Sequence, residues 1–235
     1  MLCKIADLIV DVPEAGGLAP RLRGYQCEST LQPDIEIREE DYRRTVWKGK
    51  PYSMYCYMES GARFYSQLLL HQGLMLHASA IAYDGRAYLF SGNSGVGKST
   101  HTRLWQESLG KEAIVINDDK PALRFVDGRW YAYGTPWCGK DGINQNMKVP
   151  LAGICFLEQG KENRIFQLSN EEALSEIIPQ TIHRLNKTEK IKLMLSHIDS
   201  LLTNIPIFKL VNQPDAEAAR LSYETMKRAA IRLGL

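Results

Sequence analysis

The chain has 235 residues, of which 44% are hydrophobic and 24% charged, and its formal net charge is +2 at pH 7. This composition is that of a globular protein with a sizeable core, and so small a charge gives no reason to expect nucleic acid or an anionic membrane surface as a partner. The longest apolar stretch, residues 74–83, contains His77 and Ser79 and is too short to span a bilayer, so no membrane association is predicted. The five cysteines follow no metal-binding or disulfide spacing, which favours reduced thiols and a cytoplasmic location.

The first 60 residues are predicted to form short strands. Apolar residues alternate with turn residues in the segments KIADLIVDV, IEIREEDYRRTVW and SMYCYM, which is typical of a small β-rich segment. Residues 60–73 have apolar side chains at helical spacing and end at a glycine, so a helix is predicted there. We therefore predict a β-rich N-terminal segment over residues 1–60 and a larger catalytic domain over residues 61–235.

Strands and helices alternate in the rest of the chain. The segments LMLHASAIAY and RAYLFSG are predicted to form a hairpin around the turn Asp84-Gly85. The second strand leads into a glycine-rich loop, and the helix STHTRLWQESLG and the buried strand EAIVIND follow it. Further strands are predicted at GRWYAYG, LAGICFLEQG, NRIFQLS and IPIFKLV, and helices over 170–184, 187–203 and 215–233. The alternation predicts an α/β fold with a mainly helical C-terminus.

The glycine-rich loop, residues 92–99 with the sequence GNSGVGKS, is a complete match to the phosphate-binding motif G-x-x-x-x-G-K-[ST]. In such a loop the backbone N–H groups surround a phosphate, and the following helix contributes its positive N-terminal end. Lys98 is predicted to reach the β- and γ-phosphates and Ser99 to ligate Mg²⁺. The residues predicted to contact a nucleotide are Gly92, Asn93, Ser94, Gly95, Val96, Gly97, Lys98, Ser99 and Thr100.

Two adjacent carboxylates, Asp118 and Asp119, end the next buried strand, where phosphate-loop proteins place the carboxylate for their metal ion. The charges of neighbouring carboxylates are coupled, so one can hold Mg²⁺ while the other accepts a proton. The alternative is a solvated turn at the end of a strand, where aspartate is common. The phosphate-loop context favours the functional interpretation.

The stretch LHASAIAYDGRAYLFSGNSGVGKSTHTRLW, followed by IVINDDKPAL, resembles the catalytic domain of HPr kinase/phosphorylase and its kinase-like relatives, a family related to PEP carboxykinases. The resemblance covers about residues 70–125 and rests on a histidine before the loop, the loop itself and the aspartate pair. It implies a phosphate-loop kinase core of that type, which uses ATP and Mg²⁺ and can form a homo-oligomer. It also implies that His77, Lys98, Asp118 and Asp119 are catalytic, with Asp119 as the proton acceptor and Asp118 as a metal ligand beside the loop serine. The histidine would act near the γ-phosphate or set the charge of the aspartates.

The chain departs from the resembled enzyme after the aspartates. That enzyme carries a glutamate in an E-x-R-G-type segment and an arginine in a P-G-R-N-type segment, whereas residues 131–146, YAYGTPWCGKDGINQN, hold neither. We therefore expect the kinase reaction without the phosphorylase reaction. Lys140, Asn144 and Asn146 in this stretch are predicted to face the transferring phosphate or the acceptor, with an ordinary hairpin loop as the alternative. Arg184 is the candidate for the missing arginine.

The favoured function is an ATP-dependent kinase that phosphorylates a hydroxyl group, a serine of a small protein or peptide. Relatives that modify precursor peptides in biosynthetic clusters make a peptide acceptor an expectation by resemblance only. Two alternatives stay open: a small-molecule kinase or PEP carboxykinase-like phosphotransferase, and a non-catalytic ATP-binding regulatory protein. A GTPase is disfavoured because the segment LNKTEK lacks the aspartate of an N-K-x-D motif.

Overall fold

The structure is a computed structural model that describes residues 1–14, 16–41, 51–181, 185 and 187–235. Its strands are β1 (Leu2–Ile5), β2 (Leu8–Asp11), β3 (Ile35–Glu36), β4 (Gly73–Met75), β5 (Ala78–Tyr83), β6 (Arg86–Ser91), β7 (Ile114–Asn117), β8 (Ala122–Val126), β9 (Arg129–Tyr133), β10 (Lys148–Gln159), β11 (Arg164–Gln167) and β12 (Ile207–Asn212). Its α-helices are α1 (Ala19–Leu22), α2 (Tyr52–Leu68), α3 (Lys98–Leu109), α4 (Asn170–Ile177), α5 (Thr188–Asn204) and α6 (Ala216–Arg232). The fold is mixed α/β, in agreement with the sequence-based prediction.

The larger sheet is organised around the long strand β10. The first residues of β10, 148–150, pair antiparallel with β9, which continues through β8 to β4. Later residues of β10 pair parallel with β6 on one side and with β12 on the other. The order across the sheet is therefore β4-β8-β9-β10-β6-β5-β7, with β12 and β11 joined through β10. This arrangement brings the carboxyl ends of β6 and β7, where the two predicted motifs lie, close together.

Helices cover both faces of this sheet because side chains alternate along its strands. On β6, Tyr88 and Phe90 pack in a core with Trp105 of α3 and Met226 of α6. Leu89, which lies between them, points to the other core, which α4 and α5 close. Both cores are apolar and buried, so the strand β6 and the helix α3 give the loop between them a rigid base.

The N-terminal residues form a second, smaller sheet in which β1 pairs antiparallel with β2 and β2 pairs parallel with β3. Its buried side chains, such as Ile5 and Val10, belong to one core with Phe64 of α2 and with Trp137. The ring centroids of Phe64 and Trp137 are 4.7 Å apart. The small sheet is thus packed through α2 onto the segment that follows β9.

The predicted hairpin is confirmed. Strands β5 and β6 pair antiparallel from Ala78 opposite Ser91 to Tyr83 opposite Arg86. The turn residues Asp84 and Gly85 both have positive φ, 52° and 70°. Positive φ at both central positions is the turn geometry that matches the twist of two hairpin strands.

The predicted strand SMYCYM is wrong, since residues 53–58 belong to α2. The helix starts after Pro51 and buries Tyr55, Cys56 and Ser60 on one side, while Met54 and Met58 stay exposed. Burial at intervals of three to five residues is a helical pattern, and a short apolar run with alternating residues does not distinguish it from a strand. The predicted helix of residues 60–73 is the second half of α2 with one turn of 3-10 helix after it.

The remaining segments agree only in part with the predictions. Of the predicted strand IEIREEDYRRTVW, only the two residues of β3 form a strand, and residues 42–50 lie outside the described residues. Strand β8 was not predicted. Helices α5 and α6 agree with the prediction, whereas α4 ends at Ile177 and residues 182–184, with the candidate Arg184, lie outside the described residues. None of the helices in the described ranges combines the length and apolar character needed to cross a bilayer.

Candidate active site

The glycine-rich loop runs from the end of β6 to the first residue of α3. Gly92, Gly95 and Gly97 have φ of 133°, 83° and 111°, a region that L side chains rarely adopt. A Cβ on Gly92 would also lie 3.1 Å from the backbone oxygen of Leu157. The loop therefore needs glycine at these positions, and its backbone can approach a ligand without side chains in the way.

Lys98 stands at the start of α3, and its side chain is directed back over the loop. Its Nζ donates hydrogen bonds to the backbone oxygens of Gly92 at 2.9 Å and Asn93 at 3.2 Å. The side chain is buried. Burial lowers the pKa of Lys98, and the charges of Asp119 and Asp118 oppose that shift only in part. A buried ammonium group is thus held within reach of both aspartates.

Asp118 is tied to the loop helix through two hydroxyl groups. Its Oδ1 accepts a hydrogen bond of 2.8 Å from Ser79 of β5, and the Ser79 hydroxyl lies 3.0 Å from that of Thr102 in α3. All three side chains are buried. Ser79 and Thr102 were not predicted from the sequence, although a serine inside an apolar strand and a threonine one turn after Lys98 were available signals. These contacts fix the carboxylate relative to the glycine-rich loop.

The turn that carries Asp119 is shaped by the buried side chain of Asn117. The Asn117 Oδ1 accepts hydrogen bonds from the backbone nitrogens of Asp119 at 2.9 Å and Lys120 at 2.7 Å. The Asn117 Nδ2 donates to the backbone oxygen of Thr135 at 3.0 Å. An asparagine that bonds the backbone two and three residues further on stabilises a tight turn. Asn117 is a third positioning residue that was not predicted from the sequence.

Asp119 faces two groups that carry or can carry positive charge. His77, in the break between β4 and β5, places Nε2 3.2 Å from Asp119 Oδ1, and Lys120 forms an ion pair with Oδ2. The other ring nitrogen of His77 lies 3.1 Å from Gln180 Oε1. Burial raises the pKa of Asp119, but the hydrogen bonds and charges of His77 and Lys120 outweigh it and lower the pKa to about 2. Asp119 is therefore a carboxylate at neutral pH.

We expect His77→Ala to raise the pKa of Asp119, because one of the hydrogen bonds to its carboxylate is lost. A depressed pKa in the folded protein stabilises it above the unfolded pKa, here 3.8, and the contribution disappears as pH falls towards 2. The difference in unfolding free energy between the wild type and the variant should thus be largest above about pH 4 and should decrease as the pH falls below it. Carboxyl-carbon NMR titration and urea unfolding between pH 2 and 7 measure both effects.

The control for this variant is His71→Ala, a partly exposed histidine six residues earlier. It should leave the titration of Asp119 unchanged. An unchanged Asp119 titration in His77→Ala would show that the contact of 3.2 Å contributes nothing to the charge of the carboxylate.

One cavity of about 480 Å³ brings most of the predicted residues together. It is lined by His77, Ser94, Gly95, Gly97, Lys98, Ser99, Thr100, Asp118, Asp119, Gly139, Lys140 and Asp141. Gly92, Asn93 and Val96 line an adjoining cavity of about 410 Å³ on the other side of the loop. The Ser99 hydroxyl and the Asp118 carboxylate are hard oxygen donors of the kind that Mg²⁺ prefers, and the glycine cradle fits a phosphate chain.

Asn144 and Asn146, predicted to face the phosphate or the acceptor, line neither of these cavities. Asn144 accepts a hydrogen bond of 2.9 Å from the Tyr25 hydroxyl, and Asn146 donates to the backbone oxygens of Gly24 at 3.0 Å and Lys4 at 3.3 Å. These hydrogen bonds to a hydroxyl group and to backbone oxygens hold the N-terminal segment against the loop that follows β9. Lys140, by contrast, lines the cavity of about 480 Å³.

The family comparison matches most of the chain. The model of the family described as SynChlorMet cassette protein ScmC matches residues 54–213, about two thirds of the chain. The chain belongs to the ScmC family. No curated protein matches the chain. Among solved structures, the HPr(Ser) kinase/phosphatase from Coxiella burnetii is similar at 12% identity and a TM-score of 0.39, over 68% of this chain and 92% of that one. The matched ScmC region begins within α2 and includes the loop, both aspartates and Lys140.

Proposed function

We propose that this member of the ScmC family is an ATP-dependent kinase that transfers the γ-phosphoryl group to a hydroxyl, with a serine of a protein or peptide as acceptor. The observation that carries the proposal is the shared cavity, where a buried lysine, a glycine loop at a helix N-terminus and two fixed carboxylates meet. These are the parts that phosphoryl transfer requires: the loop is a phosphate cradle, the lysine a cation, and the carboxylates offer metal-binding oxygens.

The loop would bind the phosphates through its backbone N–H groups, aided by the positive end of α3. Lys98 would exchange its contacts with two loop carbonyls for the phosphate oxygens, which is a short movement of a flexible side chain. Ser99 and Asp118 would hold Mg²⁺, which when bound neutralises charge on the phosphates. The Ser79–Thr102 pair would keep Asp118 oriented towards the loop helix.

Asp119 would orient the acceptor hydroxyl and take its proton. A carboxylate with a pKa of about 2 is a weak base, so it gives little assistance to early proton removal. In a loose phosphoryl-transfer transition state the hydroxyl needs little activation before attack, and positioning contributes more than basicity. The contacts of Asp119 with His77 and Lys120 suit that orienting role.

The proposal covers the forward reaction alone. Phosphorolysis of a phosphoserine needs a group that positions inorganic phosphate, and the glutamate and arginine that do so in the resembled enzyme have no counterpart in residues 131–146. The proposed enzyme is therefore a one-way kinase.

A transfer assay tests the proposal directly. The protein, Mg²⁺ and γ-labelled ATP are incubated with a pool of serine-containing peptides, and with a matched pool in which every serine is alanine. We expect label on phosphoserine in the first pool and none in the second, together with equal amounts of ADP and phosphopeptide. ADP that forms at the same rate with both pools would indicate a hydrolase, and label on an added hydroxylated metabolite instead of a peptide would indicate a small-molecule kinase.

A further inference from the structure

A second cavity, of about 400 Å³, opens beside Asp119 between the N-terminal segment and the first turns of α2. It shares Asp119, Gly139 and Lys140 with the cavity of about 480 Å³ beside the glycine-rich loop, which we call the nucleotide cavity, so the two cavities meet at the proposed base. A molecule bound in the second cavity can thus present a group to Asp119, next to a phosphoryl donor bound in the first. Phosphoryl transfer requires the acceptor and the donor to be neighbours at such a group.

The wall formed by α2 is apolar. Tyr57, Met54 and Met58 lie three and four residues apart, so they occupy one face of the helix and all line the cavity. Met54 and Met58 are 45% and 37% exposed, and because they are neighbours on the helix they form one small apolar patch. Methionines on a surface adapt to the shape of an apolar partner. From Met54 to Met58 the helix rises about 6 Å, the length of about two residues of an extended peptide.

The rest of the lining carries positive charge. Arg21 donates a hydrogen bond of 2.8 Å to the backbone oxygen of Cys138 and stacks over the Tyr57 ring, with its Cζ 4.8 Å from the ring centroid. The Tyr57 hydroxyl donates to the same oxygen at 2.5 Å. These bonds hold the guanidinium group in place at the cavity and leave it free of an acidic partner: in the described ranges, no carboxylate forms an ion pair with Arg21 or with Lys140. The remaining lysine of the wall, Lys120, is paired with Asp119.

We propose that this cavity is the acceptor site and that its occupant is an extended peptide segment. The serine lies at Asp119, a neighbouring apolar side chain packs on Met54 and Met58, and a nearby carboxylate pairs with Arg21 and Lys140. The apolar wall and the unpaired charges are complementary to such a segment, whereas a small polar metabolite would leave the methionine face uncovered. The inference rests on the proposed function and names the substrate class of the same site.

The test uses four peptides of equal length that contain one serine and differ at two neighbouring positions: apolar or polar at one, acidic or basic at the other. Binding is measured by fluorescence anisotropy with Mg²⁺ and a non-hydrolysable ATP analogue, and transfer is measured as kcat and KM with ATP. We expect the peptide with apolar and acidic neighbours to bind best and to have a KM lower by about tenfold than the peptide with polar and basic neighbours.

Two variants test whether the methionines cause the preference for apolar peptides and whether Arg21 causes the preference for acidic peptides. Met54→Ala with Met58→Ala should raise KM for the apolar peptides without a change in kcat or in the KM for ATP, because alanine keeps the helix. The matched control is Leu195→Ala on α5, a residue with the same 45% exposure as Met54. Arg21→Glu should shift the preference from acidic to basic peptides, with Arg21→Gln as the neutral variant if the reversal disturbs the fold. Arg23→Glu, an exposed arginine two residues further on, is the control.

The outcomes separate the two proposals. Transfer to all four peptides with equal KM, or an unchanged preference in both wall variants, overturns the acceptor site and leaves the kinase standing. Selective binding without transfer supports the docking site and overturns the kinase. Neither binding nor transfer for any peptide, or transfer to a metabolite alone, overturns the peptide-acceptor inference.

Discussion

Lys98→Ala is expected to reduce phosphoryl transfer by about 10³-fold or more, with the fold intact. The variant removes a full positive charge that is buried beside the loop and within the electrostatic influence of both aspartates. That charge would offset the charge on the β- and γ-phosphates in both the bound state and the transition state, so ATP binding should weaken as well. Isothermal calorimetry measures ATP affinity, single-turnover labelling measures transfer, and circular dichroism measures folding.

Two further variants make this result specific to the loop lysine. Lys98→Met keeps the length of the side chain and removes only the charge, so it should behave like the alanine variant. Lys111→Ala removes an exposed lysine beyond the far end of α3, a helix that rises about 16 Å from Lys98 to Leu109, and should leave both measurements unchanged. Transfer at the wild-type rate in Lys98→Met would remove the kinase proposal, whatever the alanine variant does.

The parts of the site that the sequence predicts are those encoded in short continuous stretches. The glycines of the loop from Gly92 to Ser99 determine its conformation. The position of Asp118 and Asp119 after β7 follows from the apolar run before them. Strand, loop and helix are adjacent in the chain, so one local pattern suffices to place them.

The parts that could not be predicted depend on contacts between distant segments. Ser79 and Thr102 are polar residues whose roles appear only when β5 and α3 pack together, 23 residues apart in the chain. Asn144 and Asn146 show the reverse case: a loop rich in amides was predicted to serve the phosphate, but no local pattern tells on which side of a loop an amide lies. The N-terminal segment, more than 100 residues earlier, supplies their partners.

The secondary structure of α2 also could not be predicted from the local sequence. This error matters because α2 forms a wall of the proposed acceptor site. The segment SMYCYM fits a strand by alternation, yet its burial is decided by the small sheet and by Trp137, which pack on Tyr55, Cys56 and Phe64. Gly61 lies so close to Trp137 that a Cβ there would come within 2.8 Å of the indole ring. The outward face that remains, with its two methionines, is therefore a consequence of tertiary packing.

The second large effect is expected from Asp119→Asn, which should leave ATP affinity nearly intact and reduce transfer by about 10²-fold or more. Asparagine keeps the size of aspartate, but it cannot take a proton from the acceptor hydroxyl, and its amide nitrogen would replace one of the two oxygens that accept from His77 and Lys120. Some loss of stability should accompany the change for the same reason. Calorimetry with ATP and Mg²⁺, and single-turnover transfer to the best peptide, measure the two activities separately.

Asp118→Asn is the matched comparison, since it makes the same chemical change on the neighbouring residue. Asp118 keeps one oxygen bonded to Ser79, at 2.8 Å, and lies in the nucleotide cavity beside Ser99. A neutral amide is a poorer ligand for a hard cation, so this variant should need more Mg²⁺ to reach half its maximal rate, and transfer should recover at least in part as Mg²⁺ is raised. Asp119→Asn should show no such recovery, because a missing proton acceptor is not replaced by metal. If Mg²⁺ rescues only Asp119→Asn, then Asp119 is the metal ligand and Asp118 the proton acceptor, and the kinase proposal still holds. Full activity in both variants would mean that the Asn117 turn holds the pair for structural reasons alone.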